Sequence, residues 1–170
     1  RIAGMGGEPV IQLKTAFGGG KTHSMLALYH MVRGTTSIDY IPNLKPVLER
    51  AGLTELPKAN VAVLVGTALD PTRKKNPAYT VSTIWGEMAY QLVTSAGKPE
   101  LYAKYIREAD RKGVSPGSEN LKNLFNECGP CLILMDELVA YAKKIYGVDG
   151  LPAGSYDNFV TFIQEITEAA

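Results

Sequence analysis

The feature that most constrains this chain is the glycine run 18–20, which is followed directly by Lys21 and Thr22. An apolar segment, residues 8–14, precedes the run, and apolar residues at helical spacing follow it. This order predicts a strand, a turn without side chains, and then a helix. Glycines let backbone N–H groups converge without Cβ atoms in the way, and the start of a helix adds the positive end of its dipole. The segment therefore predicts a phosphate-binding turn.

These residues fit most of the phosphate-loop pattern G-x-x-x-x-G-K-[ST], in which the lysine reaches the β- and γ-phosphates and the hydroxyl ligates Mg²⁺. When the pattern is aligned on Lys21 and Thr22, its first glycine falls on Thr15, which is a departure. Lys21 is also a candidate catalytic residue. The alternative is a glycine-rich turn that happens to precede Lys-Thr. The predicted nucleotide-binding residues are Phe17, Gly18, Gly19, Gly20, Lys21, Thr22 and His23.

A second candidate segment is the apolar run 131–135, which ends in Asp136 and Glu137. Ligands of parallel α/β sheets bind beyond the carboxyl ends of the strands, so we expect both carboxylates at the edge that presents the glycine turn. Asp136 suits the Mg²⁺ shell beside Thr22. Glu137 would polarise a water for in-line attack on the γ-phosphate. The alternative is an acidic pair that caps the following helix.

The pattern along the chain predicts an α/β fold, a three-layer parallel sheet flanked by helices. The strands are expected at residues 8–14, 61–65 and 131–137, and the run 61–65 is apolar on both faces, as a buried parallel strand requires. Three strands are few, so the sheet is expected to be incomplete at its C-terminal end. Helices are predicted over residues 21–33, 43–52, 83–97, 99–112, 118–128, 138–146 and 156–166.

Composition narrows the function classes. The chain has 170 residues, of which 45% are hydrophobic and 21% charged, and its net charge is +1. It is long enough for one domain, and its charge favours neither nucleic acid nor a membrane surface as a partner. No uncharged apolar run approaches the ~20 residues of a membrane span. The pair Cys128 and Cys131 has redox-motif spacing but precedes a strand rather than opening a helix, so we expect reduced, structural cysteines and a cytoplasmic location.

Together, the glycine turn and the acidic strand end resemble the Walker A and Walker B motifs of ATPases with an additional catalytic glutamate, the group that includes the AAA+ proteins. More narrowly, five segments resemble the bacterial and archaeal family catalogued as domain of unknown function 499, over nearly the whole chain. Thr15 agrees with that family's pattern. The segments are LKTAFGGGKTHSMLALYH, VGTALDP, TIWGEMAYQLV, GVSPGSENLKNLF and GPCLILMDELVAYA.

The resemblance implies a P-loop ATPase in which Lys21 and Thr22 bind phosphate and Mg²⁺ and in which Asp136 and Glu137 form the Walker B pair. Members of the family are large predicted ATPases, often encoded beside DNA methyltransferases in phage-defence or restriction-like clusters, and the PglY component of BREX systems is similar. ATP and Mg²⁺ are the expected ligands. The expected partners are the remaining domains of a parent protein, with DNA and defence proteins as further candidates and no membrane. The oligomeric state stays open.

We expect residues 1–170 to be the N-terminal part of a single P-loop ATPase domain. The chain begins at Arg1 without a methionine and ends inside a helical pattern, and no polar sensor strand or arginine finger follows the acidic pair. The isolated piece is therefore expected to bind ATP weakly and to hydrolyse it poorly. One alternative is an ATP-binding switch with little turnover. Another is a small-molecule kinase. It is disfavoured because Glu137, directly after Asp136, suits the activation of water, and because the sequence shows no pocket for a phosphate acceptor.

Overall fold

A computed structural model of the chain describes residues 2, 6–14, 19–34, 40–41, 43–72 and 80–170. Thr15, Phe17 and Gly18 lie outside these residues. The described part forms eight helices and two strands. In chain order they are α1 (Lys21–Val32), α2 (Leu44–Arg50), β1 (Asn60–Val65), α3 (Ile84–Ala96), α4 (Glu100–Tyr105), α5 (Arg107–Lys112), α6 (Ser118–Cys128), β2 (Cys131–Asp136), α7 (Leu138–Ile145) and α8 (Tyr156–Ala169).

The sheet of the described residues consists of β1 and β2, which pair in parallel. Asn60 lies opposite Cys131 and Val65 lies opposite Asp136, so the two strands end at the same level. Helices α3 to α6 form the connection between them, as parallel pairing requires. The fold is therefore mixed α/β, a small parallel two-stranded sheet flanked by helices. The predicted strands at 61–65 and 131–137 are confirmed, except that β2 ends one residue earlier, at Asp136.

The predicted strand at residues 8–14 is wrong. These residues are described, but they adopt no strand, and the side chains of Val10, Ile11 and Leu13 are 48%, 76% and 43% exposed. An apolar segment becomes a strand only where a neighbouring strand pairs with its N–H and C=O groups and where one of its faces is covered. Residues 8–14 have neither a pairing strand nor a covered face. The sheet of the described residues is accordingly smaller than the three strands predicted.

The edge of β1 that faces away from β2 is closed by a side chain of α3. Gln91 Oε1 accepts a hydrogen bond from the Val63 backbone N–H (2.7 Å), and Gln91 Nε2 donates to the Val63 carbonyl (3.0 Å). The same Nε2 donates to Glu87 Oε1 at 2.9 Å, which fixes the amide. At Val63 the amide offers the donor and acceptor that a neighbouring strand would offer, so it satisfies these two backbone groups at an edge that is otherwise open to pairing.

The main hydrophobic core lies between one face of β1 and the helices α3, α4, α6, α7 and α8. Ala62 and Leu64 are fully buried there, whereas their neighbours along β1 are only partly covered. The expectation that both faces of β1 are buried is therefore confirmed for one face, and the other face is only partly covered. Trp85 is fully buried and packs on Phe162 with ring centroids 5.6 Å apart. Helices α1 and α2 contribute no residue to this cluster.

A buried carboxylate, Asp110, organises the start of α3. Its Oδ1 accepts hydrogen bonds from Thr83 N (2.8 Å) and Thr83 Oγ1 (2.5 Å), and its Oδ2 accepts one from the Tyr102 hydroxyl (2.9 Å). Burial, followed by the charge of Asp110, raises the pKa of Tyr102. Gly86 leaves room for the carboxylate, because a Cβ there would lie 2.2 Å from Asp110 Oδ1.

The sequence predicts one helix from 99 to 112, but the structure divides it into α4 and α5 at Ile106.

Candidate functional site

The carboxyl edge of the sheet joins two segments that are far apart in the chain. Thr22, in the first turn of α1, donates a hydrogen bond from Oγ1 to Oδ2 of Asp136 at the end of β2, and the distance is 2.9 Å. The two residues are 114 positions apart. Thr22 is exposed and Asp136 is half-buried, so the pair is accessible from solvent. The glycine turn and the acidic strand end thus lie side by side.

The start of α1 depends on glycine. Gly20 has φ +75°, a left-handed conformation that a residue without Cβ adopts at little cost, and its carbonyl accepts the first helical hydrogen bond from Ser24 N (2.9 Å). No side chain caps this end of the described helix. Helix starts of this kind orient N–H groups and a positive dipole end toward an anion. The chemistry expected of the segment is therefore compatible with its local structure.

Asp136 links this helix start to the next corner of the chain. Its Oδ2 accepts from Thr22, and its Oδ1 accepts from the Glu137 backbone N–H at 3.0 Å. Glu137 itself has φ +56° and ψ +30°, a left-handed conformation that is uncommon for a residue with a Cβ. Such a conformation costs about 1–3 kcal/mol and persists where its surroundings enforce it. The strand-to-helix corner at Glu137 is therefore a constrained backbone position.

The two neighbouring carboxylates have different environments. Both oxygens of Asp136 accept hydrogen bonds. The Glu137 side chain is exposed, makes no capping hydrogen bond to α7, and has no hydrogen-bond partner within the described part of the chain. The alternative in which the acidic pair caps α7 therefore has no support from the Glu137 carboxylate, whereas Asp136 does accept a hydrogen bond at this helix start. Glu137 is left available for a group that approaches from solvent.

The oxygen atoms at this edge suit a hard divalent cation. The Thr22 hydroxyl and the Asp136 carboxylate are the kinds of ligand that Mg²⁺ prefers, usually with waters and substrate phosphates filling the remaining positions. Within the described ranges no three His, Cys, Asp or Glu side chains cluster as a metal cage. A magnesium ion of this type needs no such cage, because one or two protein ligands are enough. Thr22 and Asp136 thus fit the predicted metal.

The described residues of the predicted nucleotide-binding segment lie together at the start of α1. Gly19 and Gly20 precede α1, and Lys21, Thr22 and His23 form its first turn. Lys21 is half-buried, whereas His23 is exposed. The structure brings Thr22 and Asp136 into contact, and Glu137 directly follows Asp136 in the chain. Phe17 and Gly18 stay predictions, because they fall outside the described residues.

With this geometry in view, comparison with known sequences gives a clear family assignment. The sequence model of the DUF499 N-terminal domain family matches residues 1–170, the whole chain. The chain belongs to the DUF499 N-terminal domain family. The narrower of the two resemblances drawn from the sequence is therefore confirmed. No curated protein and no solved structure matches the chain.

Other features of this DUF499 N-terminal domain concern its surroundings rather than the site. In the part that the structure describes, no helix is long and apolar enough to cross a membrane.

A shallow cavity of about 300 Å³ lies on α4, α5 and α6 among residues such as Tyr105, Glu108 and Asn120, none of which belongs to the carboxyl edge of the sheet. The edge, rather than this cavity, carries the chemistry described above.

The cysteine pair is structural in character. Cys128 ends α6 and is buried, and Cys131 begins β2. Burial raises the pKa of both thiols, that of Cys131 to about 12. Redox-active cysteines need a lowered pKa, because the thiolate is the reactive form. The raised pKa values favour unreactive thiols over a redox function.

Proposed function

We propose that this chain is the nucleotide-binding module of an ATPase, which binds ATP together with Mg²⁺ and hydrolyses the γ-phosphate bond. The observation that carries the proposal is the 2.9 Å hydrogen bond between Thr22 Oγ1 and Asp136 Oδ2. It joins the glycine turn, with its Lys-Thr pair, to the acidic end of a parallel strand, which is the combination that phosphoryl-transfer sites of the P-loop type use. The finer fold assignment, a P-loop NTPase sheet, belongs to this proposal.

Each residue has a proposed task. The backbone of Gly19 and Gly20 approaches the phosphates, and Lys21 neutralises charge on the β- and γ-phosphates. Thr22 and Asp136 would hold Mg²⁺, which when bound would offset the negative charge that develops on the phosphoryl oxygens. Phe17, Gly18 and His23 complete the predicted binding segment, as the motif places them beside the same phosphates.

Glu137 is proposed to activate the attacking water. Its carboxylate is exposed and has no hydrogen-bond partner among the described residues, whereas both oxygens of neighbouring Asp136 accept hydrogen bonds. This division suits one carboxylate that binds the metal and one that accepts a proton from water as it attacks. The constrained backbone at Glu137 supports a fixed position for that base.

The output of hydrolysis is proposed from the family resemblance. The module would drive rearrangement of other domains in a parent protein that acts in phage defence or restriction-like DNA processing. Near-neutral charge, +1 over the chain, gives the module itself no general attraction to DNA. We therefore place any DNA contact on other domains or proteins.

The test is Glu137→Gln in the intact protein, with ATP binding and phosphate release measured separately. The amide keeps the size of the side chain but cannot accept the proton, so we expect unchanged ATP affinity and a loss of phosphate release of about 10²-fold or more. Glu119→Gln is the matched control, since Glu119 is an exposed glutamate in the first turn of α6. Wild-type phosphate release by Glu137→Gln would refute the role of Glu137. Wild-type protein that binds ATP without releasing phosphate would identify a switch instead of a hydrolase.

A further inference from the structure

The turn that follows β1 packs against the corner at Glu137. Gly66 donates its backbone N–H to the Asp136 carbonyl at 2.8 Å. A Cβ on Gly66 would lie 2.1 Å from the Glu137 carbonyl oxygen and 3.1 Å from Cβ of Tyr141. Distances of 2.1 Å to a backbone atom are not tolerated, so only glycine permits this approach. The backbone of Gly66 therefore touches the backbone of both carboxylate-bearing residues.

Lys144 ties the same turn to α7. Its Nζ donates to three carbonyl oxygens, those of Gly66 (3.0 Å), Thr67 (2.7 Å) and Leu69 (2.7 Å). An ammonium group has three donors, and the turn supplies an acceptor for each of them. Because the donor is charged, these hydrogen bonds are stronger than neutral ones. Lys144 follows Glu137 by two turns of helix, so α7 contacts the turn once at its start and again through this side chain.

We propose that Lys144 and Gly66 are positioning residues for Glu137. The turn formed by residues 66–69 braces the left-handed corner, and Lys144 holds that turn in place. The inference rests on the proposed function, in which Glu137 activates water. A general base must lie within hydrogen-bond reach of the proton it takes, and a displacement of about 1 Å can reduce the rate by about 10²-fold.

The contacts of Lys144 and Gly66 fix the corner at Glu137 and are not needed to keep α7 packed on the core. Tyr141 and Ile145 of α7 are buried in the core, and Tyr141 packs on Phe159 with ring centroids 5.4 Å apart. These contacts keep the helix docked when the Lys144 side chain is replaced. The start of α7 is different, because the Glu137 carbonyl that accepts from Ala140 N (2.9 Å) is the same one that Gly66 touches.

The test compares Lys144→Met with Lys143→Met in the intact protein. The two variants lose the same charge one residue apart, but Lys143 is exposed and makes no hydrogen bond with the described part of the chain. We expect Lys144→Met to lower kcat by about 10- to 100-fold at an unchanged ATP dissociation constant, and Lys143→Met to behave as wild type. Gly66→Ala should likewise lower kcat and leave the ATP dissociation constant unchanged. Lys144→Met keeps the proposal testable if the alanine variant fails to fold.

A double-mutant cycle with Glu137→Gln separates positioning from a general structural effect. Because Lys144 acts through Glu137, adding Lys144→Met to Glu137→Gln should cause no further loss of the single-turnover rate. A wild-type kcat in Lys144→Met, or the same fold-loss in both backgrounds, would overturn the positioning role. Absence of ATP binding and turnover in the wild-type protein would instead refute the proposed function, and the inference with it, before any variant is compared.

Discussion

Helices α1 and α3 have nearly the same length, 12 and 13 residues, and both contact the sheet, but the chain uses them differently. Helix α3 buries seven residues, whereas α1 buries only Val32 and leaves Leu26 and Leu28 51% and 41% exposed. The position of α3 is therefore determined by core packing. The start of α1 is placed by a glycine turn and by the hydrogen bond from Thr22 to Asp136. Stability and the candidate chemistry thus reside in different helices.

The largest expected effect is a loss of stability when a core residue of α3 is replaced. Trp85→Ala should lower the free energy of unfolding by about 3–5 kcal/mol, because the ring is fully buried against Phe162. Leu28→Ala in α1 should change it by no more than about 0.5 kcal/mol, since the side chain is exposed. Urea unfolding of both variants makes the comparison. Equal losses would show that α1 is packed as firmly as α3.

Removing the polar contact at the start of α3 should destabilise the protein more than removing the polar contact at the start of α1. Asp110→Ala should cost about 1–3 kcal/mol, because it leaves the buried Thr83 and Tyr102 donors without an acceptor. Thr22→Ala should cost less than about 1 kcal/mol, since its hydrogen bond to Asp136 is exposed and water can replace it. Thermal unfolding of the two variants measures the difference. A larger loss for Thr22→Ala would contradict the division between the two regions.

The smallest expected effect concerns the thiol that begins β2. With its pKa raised to about 12, Cys131 should react slowly with iodoacetamide at pH 7–9, and its rate should keep rising with pH well beyond 9. In urea the rate should level off near the ordinary thiol pKa, about 8.5. Mass spectrometry of the native and unfolded protein over pH 7–10 measures both. Equal native and unfolded rates would mean that this part of the core opens readily.

Local rules predict much of the fold. The Thr83 side chain accepts from Gly86 N at the start of α3, and Gly97 adopts a left-handed conformation after its end, as the sequence signals of a helix require. The contact between Thr22 and Asp136 agrees with the expectation that both segments lie at the carboxyl edge of the sheet. The expected route to that edge is not observed, because residues 8–14 do not lead into the glycine turn as a strand. Residues 8–14 show the limit of the method, since their apolar pattern cannot reveal whether a partner strand pairs with them.

The supporting contacts of the site have no local signal. Gln91 satisfies the edge of β1 through its side chain, and Lys144 binds three carbonyls of a turn about 75 positions earlier. Asp110 accepts hydrogen bonds from Thr83 at the start of α3, 27 positions earlier. Each of these polar side chains resembles an ordinary surface residue in the sequence. Their roles depend on backbone groups that only the tertiary fold brings within reach.

The most direct test of the proposed nucleotide site is the affinity of the intact protein for labelled ATP, with and without Mg²⁺, in wild type, Lys21→Ala and Lys122→Ala. Lys122 is an exposed lysine of α6, far in sequence from the glycine turn, and serves as the control. We predict Mg²⁺-dependent binding that Lys21→Ala weakens by about tenfold or more, through loss of a charged hydrogen bond to phosphate, and that Lys122→Ala leaves unchanged. Equal affinity of wild type and Lys21→Ala, or no binding by either, would contradict the account.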